Sequence, residues 1–154
     1  MTSKNSNFEN LIKTGLLKEH SAQLEEIKTH IVTAEERLKD SAIASISKTG
    51  KFLSLYDACH ALCMAATKMK GYRPGDDKGH RQGLFSIIDQ VVPAASKSKA
   101  TLEVAHRVRN LMEYDGRPPE LQDSQLEAIT EAAKNLMEEV KYIHKVWLKK
   151  FENN

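Results

Sequence analysis

Apolar side chains recur along this chain in alternating steps of three and four, and no other feature restricts its fold as much. Leu126, Ile129, Ala133, Leu136, Val140, Ile143 and Trp147 keep that step over seven positions. Leu24, Ile27, Ile31, Ala34 and Leu38 follow it, as do Phe52, Leu55, Cys59, Leu62, Ala66 and Met69. At about 100° per residue such spacing keeps one stripe pointing at a neighbour, whereas a strand needs strict alternation. Alternation appears nowhere at length. The expectation is an all-α chain, an antiparallel up-and-down helical bundle of four to five long helices plus a short N-terminal helix. At 154 residues it has the length of one domain, spanning 1–154.

Turn and cap residues divide the stripes. Gly71, Pro74 and Gly75 end one helix, Gly116, Pro118 and Pro119 another, and Pro93 ends or kinks a third. Ser124 with Glu127 has the spacing of a capping box, in which the hydroxyl oxygen accepts an orphan N–H and the carboxylate reaches back. Predicted segments are therefore 8–18, 22–46, 52–70, 78–92, 99–114 and 124–151. The short connections between long helices imply antiparallel neighbours.

Composition sets outer bounds on function. With 40% hydrophobic and 29% charged residues the chain is not of the disordered type. A formal charge of +2 neither demands nor excludes RNA, because polyanion affinity follows local clustering of Lys and Arg. No segment approaches the roughly 20 apolar residues that cross a bilayer, and the N-terminal stretch lacks a signal-peptide core, so no membrane association and a cytoplasmic location are expected. Cys59 and Cys63, four apart, would share a helix face at a spacing that disfavours a mutual disulfide. Together with Tyr56, Asp57 and His60 they suggest zinc, but no further Cys or His pair completes a tetrahedral set. Packed free thiols and a local Asp57–His60 hydrogen bond are the simpler expectation, with no metal and no cofactor.

The Gly-rich run from Gly71 to His80 follows a helix and lacks the spacing of a phosphate loop, so it is expected to be a turn. Near the end of the chain, Lys145, Lys149 and Lys150 suit a helix C-terminus, and Trp147 with Phe151 extends the last stripe as core or dimer contact.

The segment 99–114 concentrates polar groups. On a helical projection Val104, Val108 and Leu111 share one side with Ala105 and Met112. His106, Arg107, Asn110, Glu113 and Tyr114 take the other, with Arg109 at the border. One interpretation is a solvated face laced by Arg109–Glu113 and Glu103–Arg107 pairs, each contributing a few tenths of a kcal/mol. The other is a binding or catalytic face: Arg109 as phosphate ligand, His106 and Tyr114 beside it, and Asn110, Glu113 and Arg107 as binding groups.

Ordered short motifs bear on that choice. Leu16-Leu17-Lys18-Glu19-His20, Tyr56-Asp57-Ala58, Gly71-Tyr72-Arg73, His80, Arg109-Asn110 and Glu113-Tyr114-Asp115-Gly116 occur in an order and spacing that resembles the HEPN superfamily, in particular its small stand-alone bacterial members. The resemblance spans nearly the whole chain. It implies an up-and-down bundle that pairs as a homodimer through the helix equivalent to 99–114. In ribonuclease members an Arg, four to six residues and a His on that helix line a cleft between two copies and cut RNA without a metal. It further implies a toxin–antitoxin or phage-defence setting, with a small nucleotidyltransferase-like or other antitoxin as partner. Here Arg109 is followed, after four residues, by Tyr114 instead of His. A phenol with a pKa of about 10 is a poor unassisted base at neutral pH, whereas an imidazole near 6.5 suits the task. His106, one turn ahead of Arg109, is the alternative base. The implied function is action on or binding to RNA. The alternative is a catalytically inactive module that binds a nucleotide, a nucleic acid or a protein.

Overall fold

Four long helices dominate the computed structural model of the chain, which describes residues 3–75, 80–114 and 120–152, with side chains except at 3–7, 80–82 and 114. In chain order the elements are α1 (Ser3–Lys13), β1 (Leu17–Glu19), α2 (Leu24–Ser41), α3 (Lys48–Met69), β2 (Tyr72–Pro74), α4 (His80–Ser86), α5 (Ile88–Val91), a 3-10 helix (Pro93–Ser98), α6 (Lys99–Tyr114) and α7 (Asp123–Glu152). The all-α bundle expected from the periodicity is what forms. No helix among the described residues is long and apolar enough to cross a membrane.

α3 is the hub, packed against α2, α7, α6 and α4. Phe52, Leu55, Tyr56, Ala58, Cys59, Ala61, Leu62, Cys63, Ala65, Ala66 and Thr67 are all buried, so its apolar surface runs round the helix, as a central helix requires. α2 brings Ile27, Ile31 and Ala34 to it, and α7 brings Ile129, Ala133, Leu136 and Val140. Leu24, expected in the α2 stripe, is exposed because it is the first residue of its helix, beyond the reach of α3.

Helix ends follow local chemistry. The Ser47 hydroxyl caps α3 by accepting from the Gly50 N–H at 2.9 Å, which starts that helix at Lys48, four residues ahead of the predicted Phe52. Ser47 itself is in extended backbone, and α2 stops at Ser41, short of the expected Ile46. α7 starts one residue before Ser124: the Gln125 side chain accepts from the Gln122 N–H at 2.8 Å, so the reach-back contact forms two residues earlier than the Ser124–Glu127 box. Gly71 ends the α3 region as expected, at φ 100°, a conformation that costs other residues strain.

Two expectations fail. The segment 78–92 is not one helix: it breaks at Ile87 into α4 and α5, and Val92 takes φ −133°, ψ 82° ahead of Pro93. A residue before proline is pushed out of the α region, and Pro93 then opens the 3-10 helix instead of simply ending a helix. The turn after α3 contains a strand, pairing Leu17 with Pro74, Lys18 with Arg73 and Glu19 with Tyr72 in antiparallel register. Outer bonds continue it, from His20 N to Gly71 O and Gly75 N to Leu16 O, both 2.8 Å. A Cβ on Gly75 would run into the Gly15 carbonyl, so this crossing admits only glycine. Residues 76–79 and 115–119 lie outside the described residues, and with them Asp115, Gly116, Pro118 and Pro119.

Candidate functional site

Tyr56 is wholly buried on the central helix α3, and a buried phenol must find a partner for its hydroxyl. Its ring is wholly buried, stacked with Phe52 at 6.3 Å and set edge-on to Phe85 of α4 at 5.6 Å. The partner is on α6. The Tyr56 hydroxyl is 3.0 Å from His106 Nδ1, with the two rings 21° from parallel. On the far side of the imidazole, the Asn110 amide nitrogen is 3.3 Å from Nε2. The Arg109 guanidinium carbon stands 5.1 Å from the Tyr56 ring centre, a cation–π placement. Its Nη1 also donates to Glu113 Oε1 at 2.9 Å, the i,i+4 pair foreseen from the spacing.

These bonds turn α6 away from the face assignment made on apolarity alone. Leu102 and Ala105 are buried, and His106, Arg109 and Asn110 are half-buried. Val104 and Leu111, grouped by apolarity with the buried Ala105, are 41% and 49% exposed. Val104 and Val108 instead line an apolar groove of about 240 Å³ with Phe52 of α3, Ala128 and Ile129 of α7, and Leu121 just ahead of α7. Arg109 is not at the border of the apolar face; it leans on α3 with its side chain 20% exposed.

His106, Arg109, Asn110 and Glu113 are thus brought together, with Tyr56 as their anchor. Arg107 is exposed, one position round the helix from the cluster. The Tyr114 side chain, like that of His80, lies outside those described. Chemically, the group offers one cation whose outer contact is a half-exposed carboxylate, and an imidazole with a partner at each nitrogen. Two proton arrangements satisfy it: the phenol donates to Nδ1 and Nε2–H faces an Asn110 oxygen, or Nδ1–H donates to the phenol and the Asn110 NH₂ donates to Nε2.

A second polar chain, not anticipated, ties β1, α2 and α3. His20 Nε2 is 2.6 Å from Glu26 Oε1, Glu26 Oε2 is 3.8 Å from Lys68 Nζ, and Lys68 Nζ donates to His30 Nε2 at 3.0 Å. Burial works to raise the Glu26 carboxyl, but the His20 bond and the Lys68 charge outweigh it and hold the group below the usual range. Burial and then the Lys68 charge press the His30 imidazole below its ordinary value, with Glu26 opposing. His30 is therefore the neutral acceptor its contact requires, with its proton on Nδ1. Helical periodicity singles out neither Glu26 nor His30, and Lys68 reaches them from a different helix, 38 residues beyond His30.

Cys59 and Cys63 are free thiols packed in the core. Burial pushes Cys59 up to about 12, and burial with the neighbouring Cys59 raises Cys63 well above its ordinary value, so neither supplies a thiolate near neutral pH. Among the described residues no group of three or more His, Cys, Asp or Glu is placed to hold a metal ion. His60 of the suspected zinc set lies edge-on to Phe85 at 6.5 Å, inside the aromatic packing.

Comparison with protein-family models, with curated proteins and with solved structures found no match to the chain.

Proposed function

We propose that the chain is a HEPN-type bundle that engages RNA through the Arg109 end of α6, acting as a homodimer in the cytoplasm within a toxin–antitoxin or phage-defence system. One observation carries this: Arg109 is seated on the Tyr56 ring next to His106 and Asn110, with a half-exposed carboxylate on its outer side. A phosphate oxygen can replace Glu113 on a guanidinium already held in place, and a planar fork meets phosphate better than an ammonium does. Exposed Val104 and Leu111 on the same helix supply an apolar seam for a second copy. A small nucleotidyltransferase-like protein or another antitoxin is the corresponding partner.

The second reading is a catalytically inactive module that binds a nucleotide, a nucleic acid or a protein. Both ring nitrogens of His106 lie within bonding distance of intramolecular partners, which favours this reading, since a general base needs a nitrogen open to the reacting hydroxyl. The departure from the resemblance at Tyr114 favours it too.

Purified protein is tested for binding of single-stranded RNA and for cleavage of total RNA with and without EDTA, and its mass is measured by light scattering. Arg109→Ala and Arg109→Lys should both weaken RNA binding about tenfold or more, as expected for a bidentate contact. A ribonuclease would cut in EDTA and lose cleavage on His106→Ala, whereas a binding module would bind without cutting. Wild-type RNA binding by Arg109→Ala would end the proposal, and a monomer at tens of micromolar would remove the two-copy seam.

A further inference from the structure

We infer that Tyr56 is the positioning residue of the α6 site: its hydroxyl fixes the His106 imidazole and its ring face seats Arg109, while Asn110 is a cap that a ligand displaces. This rests on the reading that α6 engages RNA, and it assigns work to a residue on a different helix that no ligand touches.

The geometry makes the two ends of the imidazole unequal. Tyr56 is wholly buried and its ring is packed between Phe52 and Phe85, so its hydroxyl has little freedom to swing away from Nδ1 at 3.0 Å. Asn110 lies one turn along the same helix, is half-buried, and meets Nε2 at the longer distance of 3.3 Å. Hydrogen bonds weaken with length, and a half-buried amide on the helix surface re-pairs with water at little cost. Nε2 is therefore the nitrogen that a phosphate or ribose oxygen meets, and Nδ1 stays with Tyr56. The same phenol ring sits under Arg109, so one side chain sets the relative position of the cation and the imidazole. Nucleic-acid contacts gain from groups held in place before the ligand arrives.

Tyr56→Phe keeps the ring, its stacking and the Arg109 seat, and removes only the hydroxyl. The test is nitrogen NMR of His106 in the free wild-type protein, Tyr56→Phe and Asn110→Ala, beside single-stranded RNA binding by the same proteins and by Arg109→Ala. In wild type one ring nitrogen should read as protonated and the other as bare, a single tautomer. Tyr56→Phe should bring the two signals toward each other and weaken RNA binding about tenfold, the loss of one well-held contact. Asn110→Ala should leave the two signals apart. Circular dichroism and melting confirm that each variant is folded.

Separate wild-type signals that persist in Tyr56→Phe, or that merge in Asn110→Ala, overturn the assignment. So does unchanged RNA binding by Tyr56→Phe where Arg109→Ala has lost it, which leaves the RNA reading standing. Wild-type RNA binding by Arg109→Ala sinks the RNA reading instead, and the NMR comparison still decides what Tyr56 does.

Discussion

Replacing Lys68 with methionine would remove the cation at the centre of the His20–Glu26–Lys68–His30 chain while keeping most of its buried stem. Lys68 is 13% exposed and donates to His30 at 3.0 Å, a bond from a charged group worth about 1.5–3 kcal/mol. Its 3.8 Å approach to Glu26 adds little, because that carboxylate is a quarter open to water and keeps His20. Burial of the methionine offsets part of the loss, leaving about 1–2 kcal/mol, or roughly 2–8 °C in Tm for a chain of this size. The pH dependence is the sharper readout. His30 titrates lower in the native state than its unfolded value of 6.5, so below that pH the unfolded chain binds more protons and stability falls as pH drops. Glu26 acts in a separate, lower window: its native value lies below 4.5, so its contribution is present above 4.5 and lost as pH falls through that native value. Without Lys68 the His30 value rises back toward 6.5, and the slope of stability between about pH 6.5 and pH 5 becomes shallower. It does not vanish, because burial still lowers both His30 and His144. Urea unfolding of both proteins from about pH 8 to pH 5 measures this. An unchanged or steeper slope in Lys68→Met would show that Lys68 does not set the protonation of His30.

Other expected outcomes follow from single features. At pH 8 a thiol near 12 is thiolate in about one molecule per ten thousand, so Cys59 should react with a disulfide reagent only as fast as the bundle opens, and urea should release both thiols together. Gly71→Ala, where nothing crowds a Cβ but φ is 100°, should cost about 1–2 kcal/mol of strain and lower Tm by roughly 2–8 °C. Gly75→Ala should cost more than Gly71→Ala, since its Cβ meets backbone; equal melting temperatures would count against the close crossing of residues 15 and 75. Leu136→Ala, at a wholly buried position of α7, should cost about 2–5 kcal/mol by chemical denaturation.

The long helices were legible because their stripes are long: each of the three periodic series in 24–38, 52–69 and 126–147 lands in the core except at Leu24 and, in part, at Leu38, Met69 and Ile143. What periodicity could not reveal was shorter or less local. A three-residue strand carries no measurable alternation, so β1 and β2 were invisible, although Leu16–His20 and Gly71–Arg73 had been singled out as separate motifs. The break at Ile87 was hidden because the run from Leu84 to Val92 is apolar enough for one helix, and the penalty sits at the residue before Pro93. At the candidate site, the helical projection grouped Val104 and Leu111 with Ala105, yet of these three Ala105 alone is buried. Apolarity favours Val104 and Leu111 inward; the need of a buried phenol for a partner draws His106 inward instead. That need was present in the sequence, in one tyrosine beside the apolar stripe of 52–69, but its partner lies 50 residues away.

The clasp between β1 and β2 has a consequence for the order of folding. It joins segments more than fifty residues apart, and closing a flexible loop of that size costs roughly 3–4 kcal/mol. Three residue pairs on an isolated two-stranded ladder do not offset such a cost. Once α2 and α3 are docked side by side, however, the loop is already shortened to the few residues on either flank, and the ladder forms almost without further loss. The clasp is therefore a late event on the way in and an early one on the way out. Its amide hydrogens should exchange through a local opening that leaves α3 protected, while those of Leu55, Leu62 and their neighbours wait for the whole bundle to come apart.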